Sequence, residues 1–395
     1  MNKFLVLAVV MATAADAATI SDIATSVGAD GVVTVTYSLD ADAIVTADFR
    51  ENGVSLGGTN QWSLAGDVFK LVSAGTGKMT WNAAKDIPGQ QLSAVTVELK
   101  AWAESDAPDY LIADLMYGST CRLRYYPSVD YIPGGIVADE AYRMYYLPLR
   151  KIRAKNVSWT MGTTSEKGRS TSNEDAHQVM LDANYYIGVF ELTHAQCAAC
   201  EISRAGNYNE EYRWRMTPQN RTPWNGFRGS TLPPAEPSIS SPFGKIRDRT
   251  GLLVDFPTEA QWEYAARGGH RASPSATAYA GSDNIGSVGW YWNNSPQYQT
   301  ENIRHTSEVR GKQPNELNIY DMTGNVREWC ADWYSPLGTA AVTDPEGLSS
   351  AGYGRVYRGG SCNDSAQYCR VAHREGLSSS SKSYNIGFRV VITMD

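Results

Sequence analysis

Residues 318–334 read NIYDMTGNVREWCADWY. This stretch has neither a helical nor an alternating period, yet its large aromatic residues, Trp329 and Trp333 among them, favour burial. The pair Gly324-Asn325 supplies the turn chemistry that lets a backbone fold back on itself. We therefore expect an irregular but buried loop, whose backbone carbonyls need hydrogen-bond partners or a cation.

Two carboxylates of this loop, those of Asp321 and Glu328, are seven positions apart around the expected turn. With the backbone carbonyls of Gly324 and Val326 they could converge into an oxygen cage of the kind that Ca²⁺ prefers. The alternative is that both carboxylates cap backbone amides.

The segment 321–329, DMTGNVREW, resembles the signature of the sulfatase-modifying-factor family, whose founding members are the formylglycine-generating enzymes. Three further matches follow the family's order: residues 185–193 (YYIGVFELT), 257–269 (PTEAQWEYAARGG), and 355–361 (RVYRGGS) running on to 387–391 (GFRVV). The resemblance covers residues 157–395. It implies an α+β fold of the C-type-lectin-like kind, in which little regular structure supports long loops. It also implies a structural Ca²⁺ held by the side chains of Asp321 and Glu328 and by the carbonyls of Gly324 and Val326.

The family's enzymes oxidise a cysteine of a client sulfatase and bind copper through a cysteine pair after the Gly-Gly-Ser motif; thiolates suit Cu(I) because the ion is soft. Ser361 matches their active-site serine, but Ala366 stands at the second copper cysteine and the first falls in a gap. Cys362 occupies an aromatic position, as Cys369 does, and Arg327 replaces a tryptophan. Copper is therefore not expected. Ser361, Cys362 and Cys369 remain only weak catalytic candidates.

The cysteines leave several alternatives open. Cys362 and Cys369 could meet and bind a metal by another geometry, although a disulfide or two packed thiols is commoner in an exported domain. Cys330 and Cys369 lie in the best-matched motifs and form the preferred disulfide pair. The pair Cys197 and Cys200 has CxxC spacing, which here favours two small residues on one helix face over a redox or metal role.

The segment 363–385 is polar and lies between well-matched ends. A rigid frame around an adaptable polar loop is a common way to build a recognition surface, and the segment also resembles the variable tail of lectin-like receptors diversified by retroelements. We expect non-catalytic binding of an unknown protein or glycan; the alternatives are a solvated loop without a partner and a formylglycine-generating-type oxidase acting on a protein cysteine. The candidate contact residues are Tyr368, His373, Glu375, Lys382 and Tyr384.

Residues 1–17 combine a charged start, an apolar run and a small-x-small cleavage site, which is typical of a secretory signal peptide. The apolar run is about half as long as a bilayer span requires, so a membrane anchor is less favoured, and no later stretch is long and apolar enough to span. The mature protein is expected to be secreted or periplasmic. With a net charge of −7 and 19% charged residues, nothing indicates nucleic-acid binding.

Residues 18–104 contain short alternating runs with turn signals between them, which predict a small Ig-like β-sandwich. Residues 105–156 are predicted to be a connecting segment, in which 142–147 alternate as a strand. The family-like domain is expected over 157–395. Its two clearest helices are expected to begin at Thr193 and Thr258, each of which can form a capping box with the glutamine three positions later.

Overall fold

The structure is a computed structural model of the 395-residue chain. It describes residues 6–8, 18–90, 92, 95–116, 122–166, 169, 173–202, 215–229, 235–272, 277–297, 303–347, 352 and 354–394. The predicted signal peptide at 1–17 lies outside the described residues except for 6–8.

The chain forms two compact units. The N-terminal unit consists of 1–112 and 123–140, and the C-terminal unit of 113–122 and 141–395. The stretch 105–156, predicted to be a connecting segment, is instead divided between the two units.

The N-terminal unit is built mainly of β-strands. Those described are β1 (Val6–Ala8), β2 (Ile20–Val27), β3 (Val33–Leu39), β4 (Ala43–Glu51), β5 (Val54–Ser55), β6 (Ala65–Gly66), β7 (Lys70–Val72), β8 (Gly75–Trp81) and β9 (Val95–Trp102), with one short helix, α1 (Ala83–Asp86), before β9. One sheet has the order β2, β3, β8, β6, and the other the order β1, β9, β4, β5, with β7 also paired to β4.

The two sheets of this unit pack through their apolar faces. Side chains of β3 and β9 alternate between buried and partly exposed, as the sequence predicts. Phe49 of β4 and Trp81 of β8 lie on different sheets, and their ring centroids are 4.5 Å apart. This contact closes a sandwich core.

In the C-terminal unit, short elements alternate with long loops. Strand β10 (Tyr110–Asp114) is divided between the two units, and β11 (Leu123–Tyr126) belongs to the N-terminal one. The C-terminal unit continues through α2 (Ala141–Met144), β12 (Tyr146–Ile152), β13 (Val157–Met161), β14 (His177–Leu181), β15 (Tyr185–Gly188), α3 (His194–Ala199), α4 (Trp224–Arg228), α5 (Pro242–Thr250), α6 (Glu259–Ala266), α7 (Ile285–Val288), β16 (Arg327–Trp333), β17 (Val342–Thr343), β18 (Arg355–Arg358), β19 (Arg374–Leu377), β20 (Ile386–Gly387) and β21 (Val391–Thr393).

Among the described residues, the strands of the C-terminal unit include three sets of paired neighbours. These have the orders β12, β15, β21; β13, β14, β17; and β19, β18, β16, β20. Helix α6 is buried along its whole length and contributes Trp262 and Ala265 to the core. The arrangement is the α+β fold that the resemblance implies. Within the described ranges, no helix combines the length and apolar character that a membrane crossing requires.

The local helix signals are confirmed at both predicted capping boxes. Thr193 Oγ1 accepts from the backbone N–H of Gln196 at 3.1 Å, while the Gln196 side chain accepts from the Thr193 N–H at 2.9 Å. Thr258 and Gln261 repeat the same pair of bonds at 3.1 and 2.9 Å. Each box satisfies N–H groups that would otherwise lack partners in the first turn.

The predicted strand over 142–147 is wrong in its first half. Residues 141–144 form helix α2, whose turn is closed where the Tyr145 N–H donates to the Ala141 carbonyl at 2.8 Å. The strand begins only at Tyr146, where β12 pairs with β15. Alternating aromatic and apolar residues over so short a run do not separate a helical turn from a strand.

We expect Thr258→Ala to lower the free energy of unfolding by about 1 kcal/mol, because it removes the side-chain acceptor of the α6 capping box. Denaturant unfolding followed by circular dichroism measures this loss. Thr258→Ser keeps the hydroxyl and should lose clearly less; equal losses for both variants would contradict the capping role.

Candidate functional site

The loop quoted first is irregular and buried, as predicted. Asp321 and Asn325 have positive φ angles of 57° and 61°, and both are buried. Gly324 also has a positive φ, and a Cβ there would collide with the carbonyl oxygen of Trp290. The Asn325 N–H donates to this carbonyl at 2.7 Å, and the Gly324 N–H donates to Gly359 at 2.8 Å. The turn therefore fits only with glycine at position 324.

Glu328 ends this turn in a buried ion pair. Its carboxylate accepts two hydrogen bonds from Arg389, both of 2.6 Å, and one from the Trp262 indole at 2.8 Å. The same guanidinium donates to the carbonyls of Gly188 and Tyr320, each at 3.0 Å. One ion pair thus joins residues of the matched motifs 185–193, 257–269, 321–329 and 387–391.

A second set of buried ion pairs anchors helix α6. Arg358 of β18 is paired with Glu263, and Arg374 of β19 with Glu259 through bonds of 2.6 and 2.5 Å. Arg358 also donates to the carbonyl of His373 at 2.8 Å. These contacts hold the strand before the polar segment 363–385, and the middle of that segment at His373 and Arg374, against the core helix.

Two buried carboxylates beside the ion pair of Glu328 lack a full set of partners. Glu191 Oε1 and Asp321 Oδ1 have no hydrogen-bond partner among the described residues. Burial, and then the charges of Asp321 and Glu328, raise the pKa of Glu191 well above its usual range. Burial also raises the pKa of Asp321, to about 6. Buried oxygens without partners are costly unless a proton or a cation joins them.

The four expected calcium ligands lie on this one turn, and their chemistry fits a cation in part. Asp321 keeps an unpartnered oxygen, but both oxygens of Glu328 are engaged by Arg389. Over the described ranges, no group of three or more His, Cys, Asp or Glu side chains is placed to hold a metal ion. Glu191, which the sequence reasoning missed, supplies a second unpartnered oxygen. Its signal was a lone carboxylate in the apolar run 185–193.

A small hollow lies beside the polar segment after Ser361, with a volume of about 70 Å³. Three of the five candidate contact residues take part in it. Lys382 is exposed and Tyr384 is half-buried, and neither is part of its lining. The lining residues are Arg327, Tyr357, Gly360, Asp364, Tyr368, His373 and Glu375.

One side of the hollow is held by Arg327, which replaces the family's tryptophan. Its Nε and Nη2 donate to the two carboxylate oxygens of Asp364 at 2.8 and 2.5 Å. Asp364 also accepts from the hydroxyl of Ser361 at 2.6 Å, and that hydroxyl accepts from the Asn385 amide at 2.9 Å. The serine is therefore engaged in a fixed hydrogen-bond chain.

The other side of the hollow centres on His373, which is buried although it was expected at a contact surface. Its Nδ1 lies 3.3 Å from Glu174 and its Nε2 3.4 Å from Glu375. Burial opposes the imidazolium, but these two carboxylates raise the pKa of His373 above its ordinary value. Glu375 is 44% exposed in its side chain and also accepts the hydroxyl of Tyr357. Tyr368 is 41% exposed.

None of the five cysteines that the structure describes forms a disulfide, and Cys121 lies outside the described residues. Burial raises the pKa of both Cys362 and Cys369 far above the usual range. Their sulfurs donate to backbone carbonyls, Cys362 to Arg304 at 3.6 Å and Cys369 to Ser361 at 3.9 Å. The preferred Cys330–Cys369 disulfide is wrong, because Cys330 faces the carbonyl of Glu328 instead.

The helical CxxC pair, Cys197 and Cys200, likewise forms no disulfide, and both side chains are buried. Burial raises the pKa of Cys197 well above the usual range, and Cys200 lies at the C-terminal cap of α3. The pair matches the packed, unreactive alternative.

Comparison with known proteins shows that most of the C-terminal part of the chain matches one protein family. The family described as "Sulfatase-modifying factor enzyme 1-like domain" matches residues 150–394. A formylglycine-generating enzyme of Streptomyces coelicolor is 41% identical over 148 residues, which are 34% of this chain and 45% of that protein. A protein of Paenibacillus barcinonensis named chaperone protein LppX is 35% identical over 146 residues, 34% of this chain and 48% of that protein. The matched region spans less than half of either relative's length.

A solved structure shows the same fold. Treponema denticola variable protein 1 superposes with a TM-score of 0.50 at 23% sequence identity, covering 63% of this chain and 95% of that one.

We expect Glu328→Gln and Arg389→Met each to lower the free energy of unfolding by about 3–5 kcal/mol, because each leaves a buried charge without its partner. The double variant should lose clearly less than the sum of the two. Urea unfolding in the presence of a chelator measures the cycle without interference from cations. Losses that simply add would contradict direct coupling between the two side chains.

Proposed function

The chain belongs to the sulfatase-modifying factor enzyme 1-like family. We propose that it is an exported, non-catalytic binding protein. Its C-terminal unit recognises a protein or a glycan at the surface around the hollow, outside the cytoplasm in a secreted or periplasmic location. Export rests on the signal-peptide pattern at 1–17.

The observation that carries the proposal is the hollow itself. Its open side presents Tyr368 and Glu375, the two most exposed of its candidate contact residues. Its walls are fixed by the Arg327–Asp364 pair and by the bonds of Arg358 to the core helix. A rigid wall with a few exposed aromatic and charged groups suits recognition, since little ordering is required on binding.

The chemistry of the thiols argues against an oxidase. Copper binding in the family's enzymes uses two thiolates, whereas Ala366 occupies the second cysteine position here and the remaining thiols of the segment, Cys362 and Cys369, are buried and protonated. Ser361 is engaged with Asp364 and Asn385. The alternative, an oxidase acting on a protein cysteine, has in its favour the 41% identity to a formylglycine-generating enzyme.

We expect the full chain, incubated with copper and oxygen, to leave a Cys-x-Pro-x-Arg peptide unmodified, because the thiolate pair is missing. Mass spectrometry detects conversion of the cysteine to an aldehyde. The Streptomyces coelicolor formylglycine-generating enzyme serves as the positive control. Aldehyde formation that disappears in Cys369→Ala, or in Cys362→Ala, would show that the protein is an oxidase and contradict the proposed non-catalytic function.

We further propose a structural Ca²⁺ at the turn 321–328, with Asp321 as the side-chain ligand and Gly324 and Val326 as carbonyl ligands; Glu328, the fourth expected ligand, is held by Arg389 instead. In support, Asp321 has a buried oxygen without a partner, and Glu191 adds another beside it. The ion would offset the buried negative charge there and tie the turn together.

Calcium should raise the free energy of unfolding by about 3 kcal/mol at 100 times its dissociation constant, because the ion binds only the folded state. Thermal unfolding with calcium and with a chelator measures the difference. Asp321→Asn should abolish this dependence, while Glu346→Gln, which changes an exposed carboxylate of the same unit, should keep it. A melting temperature that is the same with calcium and with chelator would exclude the site.

A further inference from the structure

Carboxylates outnumber permanent cations around the hollow. Its lining contains Asp364 and Glu375 against one guanidinium, that of Arg327. Behind the imidazole of His373, Glu174 and Glu166 both accept from Arg370, and Glu166 also lies 3.8 Å from Arg267, so the charges there balance and the excess acid is the one in the lining. The local field therefore favours a positively charged guest.

The cation in the lining is not available to an anion. Arg327 directs two donors at Asp364, and its guanidinium lies 5.0 Å from the centre of the Tyr357 ring. Asp364 in turn is satisfied by Arg327 and by the hydroxyl of Ser361. This pair is a closed structural contact whose charges cancel.

The charge left open to solvent is the carboxylate of Glu375. Its side chain is 44% exposed, while that of Asp364 is 9% exposed. Among the described residues, the Glu375 carboxylate accepts from the hydroxyl of Tyr357 and lies 3.4 Å from Nε2 of His373. Because a carboxylate accepts about four hydrogen bonds, Glu375 retains acceptor capacity.

We propose that the hollow binds a primary ammonium group, such as the end of a lysine side chain on a protein partner. Glu375 accepts its hydrogen bonds, and the rings of Tyr357 and Tyr368 line its surroundings, where aromatic groups favour a cation. The volume of about 70 Å³ admits a small head group of this kind. The inference rests on the proposed binding function and names its ligand class.

Proton binding at His373 opposes ammonium binding. The imidazole faces Glu174 on one side and Glu375 on the other, with the ring of Tyr368 at 5.2 Å and Arg370 beyond Glu174. A protonated imidazole occupies the same carboxylate that the ammonium needs and repels it. Affinity for the ammonium therefore rises as the pH rises through the pKa of His373.

The test uses methylammonium chloride as the probe, with the full chain labelled at the histidine Cε1 position. The resonance of His373 is identified by its loss in His373→Asn. Methylammonium should shift this resonance saturably and lower the pKa of His373. Its dissociation constant should increase about fivefold or more on acidification through that pKa, the effect of one like charge about 4 Å away in water.

Variants and competing probes decide the outcome. Glu375→Gln should abolish the methylammonium response, and Glu346→Gln should retain it. If Glu375→Gln does not fold, the pH dependence in the unaltered chain decides, and binding independent of pH overturns the inference. A response to acetate or acetamide in place of methylammonium also overturns it. If methylammonium does not bind, the ammonium site is wrong, but the wider binding function is not contradicted. Aldehyde formation on the Cys-x-Pro-x-Arg peptide contradicts the binding function whether or not methylammonium binds.

Discussion

The buried pair of Glu328 and Arg389 is the contact on which the C-terminal unit depends. Both side chains are almost fully removed from water, so each charge needs the other and every remaining donor needs an acceptor. Those acceptors are the carbonyls of Gly188 and Tyr320, and a further donor comes from Trp262. Segments far apart in sequence must therefore converge before either charge can be buried. This requirement gives a physical reason for the convergence of the four matched motifs in a unit with so little regular structure.

The parts of the fold that local chemistry decides could be predicted from the sequence. Capping boxes at Thr193 and Thr258, and the turn at Gly324, depend on residues within a few positions, and the structure has them. Partners distant in sequence could not be predicted. His373 is buried because Glu174, 199 residues away in sequence, lies against it. The sequence around either residue gives no sign of this pairing. The division of 105–156 between two units likewise depends on contacts with other parts of the chain, which the composition of that stretch does not reveal.

Two departures from the family pattern meet at one place. Arg327 stands for a tryptophan, and its partner Asp364 lies in the segment where the copper cysteines are missing. An arginine in that position would leave a half-buried charge without a partner unless the altered segment supplied an acid. The acid that Arg327 needs is Asp364, and the ion pair between them fixes one wall of the hollow.

The division of the chain between its units has a consequence for biosynthesis. Residues 113–122 belong to the C-terminal unit, yet 123–140 return to the N-terminal one. A ribosome therefore releases part of the second unit before the first is complete, and the sandwich cannot have all its residues until position 140 has emerged. The strand-rich unit therefore lacks 123–140 until late in its translation, and no single cut of the polypeptide separates the two units intact.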